Sequence, residues 1–452
     1  MTPTERTMTF SGAMSLSRRE SSRLFGRHVN KPLASLLGLG NADLRFSRAE
    51  GIYLYGEKGQ PYLDLTAGYG ALNLGHNPAE VLEAVREAQR LPAVLLVGYH
   101  PLMGALGSSL ASILPGDLSV VIFGCGGAEA VENAMKTARA ATGRRRFLSC
   151  TGAYHGLSFG ALSVCGSERF RTTVAPLLDH CELIPFADLG ALERALRRRD
   201  VAAFIVEPVQ GEGGAVVPPK HYLRSAADLC REFGALVIFD EIQTGFGRTG
   251  TMFAMEQEEV VPDIVTLSKS LGSGVVPVSV SVTSEKVWMK AFGAREKFDL
   301  IISTFGGNAA ACAAGLNTIE IMQRDRIPER AKVLGAYART KLQALAAKSS
   351  LIRKIRGRGL LLGIELETSG PFSAAMKENL SVMVMSELLC KHHVLTSYYD
   401  FDPRVIRFEP PLTVTEEQID EAVDALDAVL SRGKPAIALS FGRTAIGSIL
   451  RH

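Results

Sequence analysis

From about residue 101 to 315 the chain sets short apolar runs between segments of helical spacing. The runs are 119–123, 146–149, 202–206, 235–239, 264–267 and 276–282. Strands alternating with helices predict βαβ units and a mostly parallel sheet, with ligands outside the carboxyl ends of the strands. Polar residues gather at those ends: 124–129, 151–156, Glu207, Asp240 and Lys269. One such coincidence would mean little, but five in one sheet predict an active site. Upstream, a helix is expected over 23–39, and 51–56 and 60–65 alternate like strands of an antiparallel meander around Glu57-Lys58-Gly59. A glycine-rich loop, 66–76, carries Tyr69, and Asn77-Pro78 opens a helix over 79–90. Downstream come a helix over 327–347, strands over 352–357 and 359–366, a helix near 374–392, a strand over 405–408 and a helix over 415–430. The pattern predicts a tail (1–22), an N-terminal segment (23–100), a large α/β domain (101–322) and a smaller α+β domain (323–452) completed by the N-terminal strands. No element is assigned after Arg432.

At 452 residues the chain exceeds the roughly 250–300 at which one core stops growing, which supports two domains. A net charge of +3 is too balanced to argue for nucleic acid or a membrane surface. The seven cysteines are scattered and form no C-x-x-C, a pattern expected of thiols in a reducing cytoplasm. No apolar run reaches the ~18 residues of a membrane span. Residues 1–22 are rich in Ser, Thr and Arg, but acidic residues interrupt a transit-peptide pattern, so a frayed tail is expected.

The chemistry centres on Lys269, which ends the run Ile264-Val-Thr-Leu-Ser268 and precedes two glycines. At the lip of a crevice, with its pKa lowered by burial, a lysine can form a Schiff base; the plain alternative is a solvated strand end. Phe123-Gly-Cys-Gly-Gly-Ala-Glu129 reads as strand, glycine turn and helix start, where free N–H groups bind phosphate. A dinucleotide fingerprint would need a third glycine where Glu129 stands, and a P-loop would need Gly-Lys-Ser/Thr; a simple turn remains open. Tyr154 is a candidate for stacking on a flat ring, with core packing as the alternative. Glu207 and Glu212 belong to the loop Ile205-Val-Glu-Pro-Val-Gln-Gly-Glu-Gly-Gly214, for which a simple turn is the alternative. Asp240 directly follows Leu-Val-Ile-Phe, so its carboxylate needs a cationic partner or a proton. Arg407 lies in an apolar strand and needs an anion, whereas Arg404 suits a surface ion pair. The histidines have no metal-ligand spacing, so no metal is assigned.

Asp240-Glu-Ile-Gln-Thr-Gly-Phe-Gly-Arg-Thr-Gly250, with Ser268-Lys-Ser-Leu-Gly-Ser-Gly274 downstream, resembles the class III aminotransferases, fold-type I enzymes dependent on pyridoxal 5′-phosphate. The resemblance spans roughly residues 37–430, and motifs such as His100-Pro-Leu-Met103 and the Tyr69 loop are similar to those of the putrescine aminotransferases. Ornithine and 4-aminobutyrate aminotransferases are also similar. The resemblance implies Lys269 as the Schiff-base lysine, Asp240 on the pyridine nitrogen, Gln243 near the ring hydroxyl and Tyr154 on the ring face. Gly127 and Ala128 would offer phosphate-binding amides, with His155 and Glu207 beside the cofactor. Thr304 would reach the phosphate of a partner subunit, which implies a homodimer with active sites at its interface. Arg407 would grip a substrate carboxylate, with Glu212 as its switchable partner.

Two departures bear on this. Cys125-Gly126-Gly127 replaces the usual Asn-Ser-Gly, so a phosphate-binding hydroxyl is missing; Leu157 stands where several relatives carry Arg or Lys. Leu157 with Tyr69 and the apolar stretch 91–97 therefore suggests an entrance for a terminal primary amine, such as a diamine or a long-chain amine, with a 2-oxo acid or aldehyde as acceptor. An aminomutase or decarboxylase on the same scaffold, or a non-catalytic nucleotide-binding α/β protein, stays open at this point.

Overall fold

The computed structural model describes residues 7–369 and 374–449. Its central sheet has seven strands in the order Leu118–Gly124, Ser279–Ser284, Ile264–Leu267, Leu236–Asp240, Val201–Val206, Arg146–Cys150, Cys181–Ile184. From Ile264–Leu267 to Cys181–Ile184 all neighbours are parallel, while Ser279–Ser284 is antiparallel to both strands beside it. Val201–Val206 is buried at every position, as expected of a parallel strand covered on both faces. The helix Gly127–Thr142 follows the first strand and stops at Gly143, whose φ of 68° suits a residue without a side chain.

A second sheet pairs Ile352–Arg358, Leu361–Leu366, Asp402–Phe408 and Tyr398–Tyr399 in that order. The third joins Phe46–Glu50, Tyr53–Gly56 and Pro61–Asp64 to Val394–Leu395, which runs parallel to Pro61–Asp64. Both chain ends therefore share one sheet. Glu409 N donates to Leu65 O at 2.9 Å and Leu412 N to Asn73 O at 2.8 Å, so the C-terminal strand clasps the loop that carries Tyr69.

Several expectations from the pattern need correction. The single helix over 23–39 is two, Arg18–His28 and Lys31–Leu39. Asn30 starts the second by accepting from Leu33 N at 3.0 Å, and Pro32 in its first turn has no N–H to continue the first. The tail over 1–22 also holds the helix Phe10–Met14 within its described part. The strand expected over 276–282 begins at Ser279, because Pro277 cannot donate to the ladder. Four strands went unread: Phe46–Glu50, the short edge strand Cys181–Ile184 with Glu182 inside it, and the two-residue strands Val394–Leu395 and Tyr398–Tyr399. Beyond Arg432 lies the helix Gly433–Ile449, held to the Ala374–His392 helix by Lys391 Nζ on Ser440 Oγ at 2.6 Å. No helix among the described residues is long and apolar enough to cross a membrane. All seven cysteines are free thiols.

Candidate active site

A cavity of about 270 Å³ opens at the carboxyl ends of the parallel strands. Gly127, Ala128, Tyr154, His155, Leu157, Glu207, Asp240, Gln243 and Lys269 all line it. The sequence had distributed these over five separate loops, and the strand order brings them together.

At one end the helix Gly127–Thr142 points its start into the cavity. Gly127 and Ala128 sit in its first turn, where N–H groups have no carbonyl one turn back, and neither donates to another described residue. Glu129 turns away from that cup to accept from Cys125 N at 2.7 Å. Gly126 has no side chain to offer, and a Cβ there would meet nothing within 4 Å.

Asp240 ends the Leu236–Asp240 strand and is buried. Its Oδ2 lies 2.7 Å from His155 Nδ1, and its Oδ1 accepts from Thr266 Oγ1 and Ile242 N, each at 3.1 Å. His155 Nε2 in turn meets Ser149 Oγ at 3.2 Å. A carboxylate only accepts, so Nδ1 carries the proton and the imidazole holds Asp240 in place. The sequence required a partner for this acid, and His155 and Thr266 are that partner set within the chain. Glu207 accepts from Tyr154 N and Gly211 N, both at 2.9 Å. Burial pushes it up to about 7, with His155 and the two amides opposing and Asp240 reinforcing the rise.

Lys269 follows the strand Ile264–Leu267 in a left-handed conformation, φ 42°, which is strained for a residue with a side chain. Burial pulls its amine below the ordinary lysine value, while Glu409 and Glu212 work the other way. It lines the same cavity as the helix start, Glu207 and Asp240, where an uncharged amine can act as a nucleophile.

Beyond Lys269 stands an ion network. Arg407 is fully buried, with Nη2 closed onto Glu212 Oε1 and Nη1 2.9 Å from Glu409 Oε2. Tyr399 and Tyr69 cover its guanidinium at 4.0 and 4.6 Å from their ring centroids. Burial would lower Arg407, but Glu212 and Glu409 outweigh it and hold the group above its ordinary value. Gln243 Nε2 donates to Glu409 at 2.9 and 3.1 Å, so its amide serves that glutamate in this structure. Arg248 stands behind, its Nε 3.8 Å from Glu409 Oε1. Glu409 and Arg248 were missed. The signal was present: Arg407-Phe408-Glu409 alternates along an extended chain, which sets positions 407 and 409 on one side. Arg404 is a surface residue paired with Asp402 at 2.8 Å, as anticipated.

Tyr69, Glu212 and Arg407 do not line the cavity themselves and adjoin it through Gln243 and Glu409, and two further candidates also lie outside its walls. Thr304 is exposed and does not line it, and the stretch 91–97 is a largely exposed loop outside its walls. Leu157 lines the mouth with its side chain half in solvent. Tyr154 faces Phe401 at 5.9 Å between ring centroids, which fixes it at the cavity edge.

The sequence matches the family Aminotransferase class-III over residues 39–430. This chain belongs to the class III aminotransferases. The curated putrescine aminotransferase of Pectobacterium atrosepticum is 40% identical over 82% of this chain and 79% of its own length. The aminotransferase PigE of a Serratia species is 34% identical over 91% of the chain, which spans about half (53%) of that longer relative. Among solved structures, the ornithine aminotransferase of Toxoplasma gondii superposes with a TM-score of 0.84 at 30% identity, covering 95% of this chain and all of that one. The chain is accordingly a transaminase of fold-type I whose cofactor is pyridoxal 5′-phosphate. The donor set suits that group: amides at a helix start without partners among the described residues for a phosphate, a buried acid for a ring nitrogen, and an amine lining the same cavity.

Proposed function

We propose that this class III aminotransferase takes its amino group from a terminal primary amine, on a diamine or largely apolar chain, and passes it to a 2-oxo acid such as 2-oxoglutarate or pyruvate. The relatives named for putrescine and ornithine, both bearing terminal amines, support that donor class. The observation that carries the reading is the closed pair of Arg407 and Glu212. With the guanidinium already neutralised, an amine without a carboxylate leaves no cation bare, whereas an acid must first displace Glu212. Leu157 at the mouth adds no second cation for a distal carboxylate.

The cofactor, when bound, supplies an aldehyde carbon and an electron-poor ring. Gly127 and Ala128 would hold its phosphate with their amides, and Tyr154 would lie against the ring. Asp240, fixed by His155 and Thr266, would keep a proton on the ring nitrogen. Gln243 and Glu207, which line the same cavity, would stand beside the ring. Lys269 would hold the cofactor's aldehyde carbon through its amine and, when free, would move the proton of the donor's reacting carbon as general base; its lowered pKa favours the free amine this needs. Glu212 swings off Arg407 when the acid arrives.

The reading includes a homodimer in which Thr304 serves the partner's site. Its exposure and its absence from the walls of its own cavity support this, as do the exposed apolar side chains Val97, Tyr99, Leu300, Ile302 and Phe305 on the loops nearby. His100 Nε2 ties those loops together, 3.0 Å from Gly307 O. An active monomer in sedimentation at assay concentration would remove Thr304 from the site. The donor class is tested by single-turnover spectra of the purified holoenzyme with a panel of donors. Terminal amines are expected to react faster than α-amino acids, and the opposite order overturns the reading.

A further inference from the structure

Arg407 is held by two glutamates, and they are built differently. Glu212 belongs to a turn in which Gly211, Gly213 and Gly214 surround it, and among the described residues its remaining oxygen accepts only from Asp400 N, at 3.1 Å. Glu409 is locked. Arg407 Nη1, Gln243 Nε2 and, at 3.8 Å, Arg248 Nε converge on its carboxylate, which is fully buried. Its own N–H donates to Leu65 O, and a Cβ on Gly70 would stand 2.8 Å from its Oε1, so the loop carrying Tyr69 lies directly on it. Arg407 Nε has no hydrogen-bond partner among the described residues. An acid arriving after Glu212 withdraws therefore has the Nε and Nη2 edge to bind, while Glu409 keeps Nη1.

We propose that Glu409 is a specificity-determining residue, a fixed counter-charge that keeps Arg407 partly neutralised throughout turnover and so biases the crevice against carboxylate-bearing donors. The charge arithmetic supports this. With Glu212 away, Arg407 and Arg248 carry two positive charges, and Glu409 cancels one of them at hydrogen-bond distance from the guanidinium. Without it, Arg407 would present an uncompensated buried cation, covered on its faces by Tyr69 and Tyr399, a strong receptor for any carboxylate. With it, the acid is admitted weakly enough to leave again, and releasing Glu212 does not strand the arginine. Glu409 acts on substrate through Arg407, so it is a positioning residue and not a catalytic one.

The inference rests on the proposed terminal-amine donor, and one experiment separates the two. Wild-type holoenzyme and the Glu409→Gln variant are compared for glutarate affinity by calorimetry, a readout independent of turnover, and for the single-turnover rate ratio of a terminal amine to an α-amino acid. Glutamine keeps the shape, and Gln243 can turn its amide to meet it. Removing one charge beside Arg407 is expected to tighten glutarate by roughly tenfold or more and to lower the amine preference in proportion. Unchanged affinity and ratio, with a wild type that prefers terminal amines, overturn the role of Glu409 and leave the donor class standing. A wild type that prefers α-amino acids overturns both. Should the glutamine variant not fold, Glu409→Asp draws the charge back from Nη1 and is expected to tighten glutarate about threefold; no change there also overturns the proposal.

Discussion

The two ends of the crevice handle charge in opposite ways. At the helix start, unpartnered backbone amides wait for an anion, and the nearest acid, Glu129, is tied to Cys125 N. At the Arg407 end every charge already has a counter-charge: Glu212 and Glu409 on Arg407, and Arg248 behind Glu409. The first end is open and cheap to fill, since a helix start loses little when an anion replaces water. The second must be opened before it can bind an acid, and breaking a buried pair is costly. An end that keeps one cofactor needs no switch, whereas an end that admits two chemically different substrates in turn does.

Lys269 lines the cavity with the helix start and feels the charges of Glu409 and Glu212, and its loss gives the largest expected effect. Lys269→Ala should lower turnover by roughly 10³-fold or more while cofactor binding persists, because both ends still hold their charges. Turnover assays together with cofactor absorbance after desalting check it; residual transamination near the wild-type rate would remove this lysine from the chemistry.

Glu212→Ala breaks the closed end by half. Arg407 keeps Glu409 but loses Nη2's partner, so the amine half-reaction should slow by roughly tenfold more than the acid half-reaction. Stopped-flow traces of the separate half-reactions measure this. Equal slowing of both would mean that Glu212 does not switch.

Gly126→Ser sharpens the open end. The backbone there has φ −148°, ordinary for any residue, and space for a side chain. A hydroxyl at the helix start should tighten pyridoxal phosphate about tenfold, the worth of one charge-assisted hydrogen bond. Equilibrium dialysis decides, and weaker binding would argue that the phosphate does not sit at Gly126–Gly127.

The smallest effect concerns pH. Glu207 is raised from 4.5 to about 7, so between those values the folded chain holds a proton that the unfolded chain has released. Folding stability from this group therefore falls as pH rises through that window and levels off above it. Glu207→Gln should flatten that share of the slope in denaturant unfolding at pH 5 and pH 8, while buried Glu241, raised in the same way, keeps its own share.

The sequence by itself determined the alternation of strand and helix, hence the sheet, and placed Lys269, Asp240 and the glycine cup at strand ends. These are local matters: an apolar run long enough for a strand, followed by glycines, has few other uses. It also required an anion for Arg407 and a partner for Asp240, because isolated buried charges are too costly to exist. Which residues meet those demands was decided only by tertiary structure. His155 reaches Asp240 from 85 positions away, and Gln243 reaches Glu409 from 166. No sequence period links such positions. They meet because the strand order places the 151–156 loop beside Asp240, and because Val394–Leu395 pairs with Pro61–Asp64 and draws the C-terminal strand over the crevice.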